Sequence, residues 1–183
     1  MVMTKDVLFS LTKGGYAPQE EMLEVARKKG KLYIGIPKEM AFQENRVPLV
    51  PDAVALLVNN GHKIVVEAGA GSNAHFEDTD YSEAGAEIVY SAQEVYKADI
   101  ILKIAPPTLE EIESMKAKQT LFSALQLTVQ PEDFLKKLVA KKLNCVAFDL
   151  ITDDAGIFPV IRAMGEIAGG TSILVAAELL SNA

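Results

Sequence analysis

From Leu32 onward the chain alternates short apolar runs rich in β-branched residues with segments of helical periodicity, and this alternation most limits the folds open to it. Strand-type runs lie near 32–36, 63–67, 86–90, 99–104, 119–123 and 144–149, and helices are expected near 51–60, 91–97, 108–116 and 131–142. Alternation over such short connections predicts an α/β fold, a mostly parallel sheet with helices on both faces. The helix boundaries are encoded locally. Pro51-Asp52 and Pro131-Glu132 place proline and acids in first turns, and Gly61 after Asn59-Asn60 is a stop signal. With 183 residues, 49% of them hydrophobic, the chain can bury a substantial core.

Three regions follow. Residues 1–30 form an N-terminal extension with a charged amphipathic helix that starts at Pro18 and stops near Lys28 and Gly30. Residues 31–160 form the alternating body, and 161–183 a long apolar helix, from Ala163-Met164-Gly165-Glu166 to Leu179-Leu180. No segment is expected to reach transmembrane length, and the first 15 residues lack an apolar core and a small-residue cleavage pattern. A net charge of -7 argues against nucleic acid or an anionic membrane surface as main partner, since both call for basic patches. Cys145, the single cysteine, cannot form an internal disulfide and lies in the apolar run Cys145-Val146-Ala147-Phe148, so a cytoplasmic, reducing setting is expected.

Chemistry is concentrated after the first strand. Leu32-Tyr33-Ile34-Gly35-Ile36 is a buried-type run that Pro37 terminates, so Lys38, Glu39, Glu44 and Arg46 belong to a loop at its C-terminal end. Ligands of open α/β sheets sit at that edge. Arg46 is the leading candidate: a guanidinium offers a planar fork that matches a carboxylate, although spacing alone fits a solvated surface arginine equally well. Lys38 and Glu39 read as a solvated surface couple. Lys103, near the end of Asp99-Ile100-Ile101-Leu102-Lys103-Ile104, must reach either solvent or a partner at the strand end.

Gly69-Ala70-Gly71-Ser72-Asn73-Ala74 imitates a dinucleotide fingerprint, but His75-Phe76-Glu77-Asp78-Thr79-Asp80 follows it, read as an acidic loop that would repel phosphate. A structural glycine loop is the better reading. His62 and His75 read as surface residues in separate loops, and one cysteine with two distant histidines makes no metal site. No G-x-S-x-G nucleophile motif occurs, and Asp153-Asp154-Ala155-Gly156 reads as a turn.

IGIPKE with ENRV, then VPDAVALLVNNGH (Val50 to His62), VEAGAG (Val66 to Gly71) and ADIILKI (Ala98 to Ile104), resembles the alanine dehydrogenase and pyridine nucleotide transhydrogenase family from about Lys31 to the end. The resemblance implies a Rossmann-like or flavodoxin-like substrate domain, truncated before the nucleotide-binding domain into which the last helix leads. It places Arg46 as the residue that binds the substrate carboxylate and Lys103 as the one that polarises the carbonyl oxygen, a task suited to an ammonium. Gln126 falls where alanine dehydrogenases carry a histidine; it can orient substrate or water but cannot exchange protons near neutral pH. Ala124 replaces an aromatic residue common in those enzymes. Met164, by resemblance a substrate-binding position or else a helix-core residue, lies in a segment closer to alanine dehydrogenases than to proton-translocating transhydrogenases.

By this resemblance the parent protein uses NAD(H) or NADP(H) to convert pyruvate and ammonia reversibly to L-alanine, and forms a homo-oligomer. The 183-residue chain itself is expected to bind no cofactor and to be inactive. Two alternatives stay open: the α subunit of an NAD(P) transhydrogenase, and a non-catalytic binding or assembly module of the same fold.

Overall fold

The computed structural model describes residues 30–181; the helix expected near Pro18 lies outside them. Six parallel strands, β1 (Tyr33–Ile36), β2 (Lys63–Glu67), β3 (Glu87–Val89), β4 (Ile100–Leu102), β5 (Thr120–Ser123) and β6 (Asn144–Ala147), form one sheet in the order β3-β2-β1-β4-β5-β6. Register is continuous from Tyr33 opposite Lys63 to Ile36 opposite Val66, and from Thr120 opposite Asn144 to Ser123 opposite Ala147. Between the strands lie α1 (Pro51–Asn59), α2 (Asp78–Glu83), α3 (Ala92–Val95), α4 (Leu109–Ser114) and α5 (Glu132–Lys141); α6 (Pro159–Ser181) ends the described chain.

Strand side chains alternate between two cores because successive residues point to opposite faces. Ile34, Ile36, Ile64 and Val66 pack with Val54 of α1 and Tyr81 of α2 on one face. Val65, Ile101 and Leu121 pack with Val95, Ile112, Phe134 and Leu138 of α3, α4 and α5 on the other. Gly35 sits where β1 meets the end of α3: a Cβ there would lie 2.7 Å from the Val95 carbonyl oxygen and 2.8 Å from its Cγ1. Only a residue without a side chain lets strand and helix approach so closely.

Two sequence expectations need correction. The acidic stretch after the glycine loop is a helix, α2, whose start is stabilised by a capping box: Glu77 faces the Asp80 backbone, and the Asp80 side chain accepts from the Glu77 N–H at 2.7 Å. The acids that read as loop residues serve as caps. Second, α6, with 23 residues, is long and apolar enough to cross a membrane by length and composition alone, where no such segment was expected. Three glycines and Glu166 break up the run by eye, yet it carries few charges. Its side chains, Ile167, Ile173, Leu174, Leu179 and Leu180 among them, are exposed.

Candidate functional site

Strand order reverses between β1 and β4, and the crevice outside their carboxyl ends is where open α/β sheets bind ligands. The loop leaving β1 is tied down at three points. Lys38 N–H donates to Glu67 Oε2 at the end of β2 (2.8 Å), Glu39 Oε1 accepts from Ile104 N–H beyond β4 (2.5 Å), and Leu49 C=O accepts from the Tyr81 hydroxyl of α2 (2.9 Å). Arg46 therefore hangs on a loop whose two ends are fixed to the sheet and to α2.

Lys103 extends the β4–β5 ladder by one residue, its N–H donating to Phe122 C=O at 2.9 Å. It thus points to the same face as Ile101, beneath α3 and α4, and is 2% exposed. There its Nζ lies 2.7 Å from Glu111 Oε1 of α4 and 3.2 Å from Glu39 Oε2. Glu111 also accepts from the Tyr96 hydroxyl at 3.0 Å and, through Oε2, from Thr108 N–H at 2.7 Å. Burial alone would raise the Glu111 carboxyl, but the Lys103 ammonium and these hydrogen bonds override it and hold it below the usual carboxylate range. Burial, reinforced by the Glu111 charge, pushes the Tyr96 hydroxyl far up. Two carboxylates share one ammonium. Glu39 Oε2 has no hydrogen-bond partner among the described residues and is held by charge alone.

Glu39 was expected to form a solvated couple with Lys38; instead it is 9% exposed and pairs with Lys103, while Lys38 stays outside. Past the end of β1 the alternation of faces continues, which turns Lys38 to water and Glu39 inward. Lys103, likewise, is paired internally and does not snorkel to solvent.

Arg46 holds Glu44 by two parallel bonds, Nε to Oε1 at 2.7 Å and Nη2 to Oε2 at 2.6 Å. The hydrogen bond from Arg46 lowers the Glu44 carboxyl, and Glu44 in turn raises the guanidinium, with a smaller contribution from the Glu39 charge. Just past Arg46, Pro48 and Leu49 line a cavity of about 280 Å³ together with Leu102, Lys103, Ile104, Phe122, Phe148 and Val160. It opens on the face of the sheet opposite the Lys103 ammonium, where Phe122 is only half-buried.

Gln126 and Met164 do not line this cavity. Met164 belongs to a shallow apolar groove along α6 with Ile167, Ala168 and Val175. Gln126 is exposed at the end of β5 with φ 48°, a left-handed conformation costly for a residue with a Cβ. Asp149 holds it there, its Oδ1 and Oδ2 accepting from Leu125 N–H at 3.3 Å and Gln126 N–H at 3.1 Å. Asp149→Ala is expected to cost about 1–2 kcal/mol for the two lost bonds, and adding Gln126→Gly to return about 1 kcal/mol by relieving the backbone. Urea unfolding of the two variants measures both. Equal stability of the single and double variants would show that no strain is held there.

The glycine loop is structural. A Cβ on Gly71 would meet Tyr81 Cε2 at 2.6 Å and Phe76 C=O at 2.9 Å, and Gly69 N–H is already engaged by Asp78 Oδ1 at 2.8 Å. After β1, where this strand order places pyrophosphate in dinucleotide-binding domains, the chain has Pro37, Lys38 and Glu39 instead of glycines, and α1 begins only at Pro51. Among the described residues, no group of three or more potential ligands that could hold a metal ion occurs. Cys145 is half-buried, and burial raises its thiol. Sequence reasoning assigned no role to Glu111 or Asp149, misread Glu39 as a surface residue and placed Glu44 only in the loop of Arg46; the apolar strand ending at Lys103 signalled that its ammonium had to reach either solvent or a partner.

Comparison with known proteins matches residues 35–168 to the family described as alanine dehydrogenase/PNT, N-terminal domain. The chain is 38% identical over 149 residues to an alanine dehydrogenase of Staphylococcus saprophyticus, covering 81% of this chain and 40% of the relative. It is 39% identical over 147 residues to alanine dehydrogenase 2 of Staphylococcus aureus, covering 80% and 39%. A solved L-alanine dehydrogenase superposes with a TM-score of 0.75 at 34% identity over 78% of this chain and 39% of its own. A transhydrogenase from Sinorhizobium meliloti gives 0.61 at 29% identity, over 64% and 35%. The chain spans about 40% of the length of these relatives. A six-stranded parallel sheet with the matched family profile running along most of it identifies the chain as a member of the alanine dehydrogenase/PNT family, corresponding to its N-terminal domain.

Proposed function

We propose that this chain is the substrate half of a nicotinamide-dependent oxidoreductase, and that its cargo is a small 2-oxo acid, pyruvate or the L-alanine formed from it. The observation that carries this reading is Arg46: a half-exposed guanidinium in the loop leaving β1, just before the Pro48 and Leu49 that line a small apolar cavity, at the carboxyl edge where the strand order reverses. A 2-oxo acid needs a planar cationic partner for its carboxylate and apolar space for a short side chain, and this edge supplies both. The same edge lacks the glycine turn and helix N-terminus that pyrophosphate requires, so the NAD(H) or NADP(H) belongs to a further domain. The chain alone then carries no hydride transfer.

In this arrangement Arg46 grips the carboxylate and the apolar wall keeps water from the carbon that receives hydride. Lys103, whose family counterpart polarises the carbonyl oxygen, would have to leave both Glu39 and Glu111 and its face of the sheet to reach that oxygen; in the geometry described it fixes the carboxyl edge of β4. Gln126 and Met164, which stand outside this cavity, meet substrate or water only where further parts of the protein complete the site. Residues 31–160 form the substrate domain, 161–183 the helix toward the nucleotide domain, and 1–30 an appendage. A cytoplasmic homo-oligomer is the expected setting.

A second reading, an NAD(P) transhydrogenase α subunit, is favoured by Gln126, which removes the proton-exchanging histidine of alanine dehydrogenases, and by the likeness to the Sinorhizobium meliloti transhydrogenase. The test follows NADH oxidation by the chain extended through its natural reading frame, with pyruvate plus ammonium in one cuvette and an oxidised nicotinamide analogue in another. Turnover with pyruvate and ammonium alone is expected. Hydride exchange with the analogue alone would establish the second reading, and silence in both a binding or assembly role.

A further inference from the structure

A guanidinium has two bidentate edges, Nε with Nη2 and Nη1 with Nη2. In Arg46 the first is taken, Nε donating to Glu44 Oε1 at 2.7 Å and Nη2 to Glu44 Oε2 at 2.6 Å. Glu44 is itself fixed, because Oε1 also accepts from the Arg46 backbone N–H at 3.1 Å, closing a small ring between two neighbouring positions of the loop. The second edge has no partner among the described residues. Exposure divides the same way, with the Glu44 side chain 12% exposed beneath and the Arg46 side chain 53% exposed above.

We propose that Glu44 is a positioning residue: it holds the guanidinium by its Nε edge and leaves the Nη1/Nη2 edge as the docking face for the substrate carboxylate. This rests on the 2-oxo acid reading of Arg46 and deepens it. A flexible arginine on a loop would have to be immobilised at each binding event, whereas one clamped to its neighbour meets the anion already oriented. The clamp also narrows specificity, since an anion approaching the Nε side meets a carboxylate and is repelled.

Removal of Glu44 distinguishes this role from a purely electrostatic one. Deleting a negative charge beside an anion site strengthens anion binding by Coulomb's law, so weaker binding in Glu44→Ala is the signature of lost orientation. The chain contains three arginines, which keeps their Nε–H resonances resolvable by nuclear magnetic resonance. Without ligand, the Arg46 Nε–H is expected to exchange slowly with water in the wild type and at the rate of a free side chain in Glu44→Ala. Titrated with pyruvate, Glu44→Ala is expected to bind about tenfold more weakly than the wild type, with Glu44→Gln in between because it keeps one acceptor. Pyruvate affinity equal to or above that of the wild type in Glu44→Ala, with Arg46→Ala still losing binding, would overturn the proposal and leave the 2-oxo acid reading standing. A wild-type chain that binds no pyruvate would sink that reading and the proposal with it.

Discussion

Lys103→Met is expected to destabilise the chain by about 3–5 kcal/mol, because it leaves the Glu39 and Glu111 carboxylates buried without their shared cation. The Lys103 and Glu39 side chains are nearly inaccessible, 1% and 4% exposed, so water cannot replace the lost ammonium. The triple change Lys103→Met, Glu39→Gln, Glu111→Gln is expected to recover much of the loss, since neutral groups of similar shape carry no such desolvation penalty. If the single variant were as stable as the wild type in urea, the ion cluster would not be what holds β1, β4 and α4 together.

Wild type and Lys103→Met are also expected to differ in their pH dependence. In the wild type the folded Glu111 carboxyl lies below its unfolded value, so the stability it contributes is fully present above the ordinary carboxylate range near 4.3 and is lost as pH falls through its folded value. Without Lys103 the desolvation of Glu111 is opposed only by the hydrogen bonds from Thr108 and Tyr96, and its carboxyl moves up from its wild-type position. The charged group then contributes less stability at neutral pH, and less is lost on acidification. Urea midpoints measured from pH 7 to 4 should fall for the wild type and fall less steeply for Lys103→Met. Parallel slopes would contradict the role given to Lys103.

Much of this fold was legible in the sequence because its strands and most of its helices are specified by contiguous residues. The runs at 32–36 and 63–67 became β1 and β2 almost residue for residue, and the proline starts at Pro51 and Pro131 marked α1 and α5. The Asp153–Gly156 turn formed as expected, with Asp153 Oδ1 accepting from Ala155 N–H at 2.9 Å and Gly156 at φ 76°. The short helix α2 escaped because its acids, which favour a helix start through capping, read equally well as a solvated loop.

What the sequence concealed were pairings between distant positions. Glu39 and Ile104 are 65 residues apart, and nothing local to Glu39 indicates that the strand order will bring β4 beside β1. Resemblance singled out Arg46, Lys103, Gln126 and Met164, but only the three-dimensional arrangement separates them. Arg46 stands next to residues of the cavity wall, Lys103 backs that wall with its charge turned away, Gln126 is clamped outside it by Asp149, and Met164 lies on α6.

The carboxyl edge of β1 and β4 as a 2-oxo acid site gripped by Arg46 is the central claim, and pyruvate titration into this chain, followed by amide resonances, tests it most directly. Pyruvate is expected to shift residues around Arg46, Leu49 and Ile104, and Arg46→Ala, by losing charge-assisted bonds of about 1.5–3 kcal/mol, to weaken binding roughly tenfold to a hundredfold. NADH added to the same concentration is expected to leave these resonances in place. Shifts at this edge with NADH in place of pyruvate, or pyruvate binding that survives Arg46→Ala undiminished, would contradict the account.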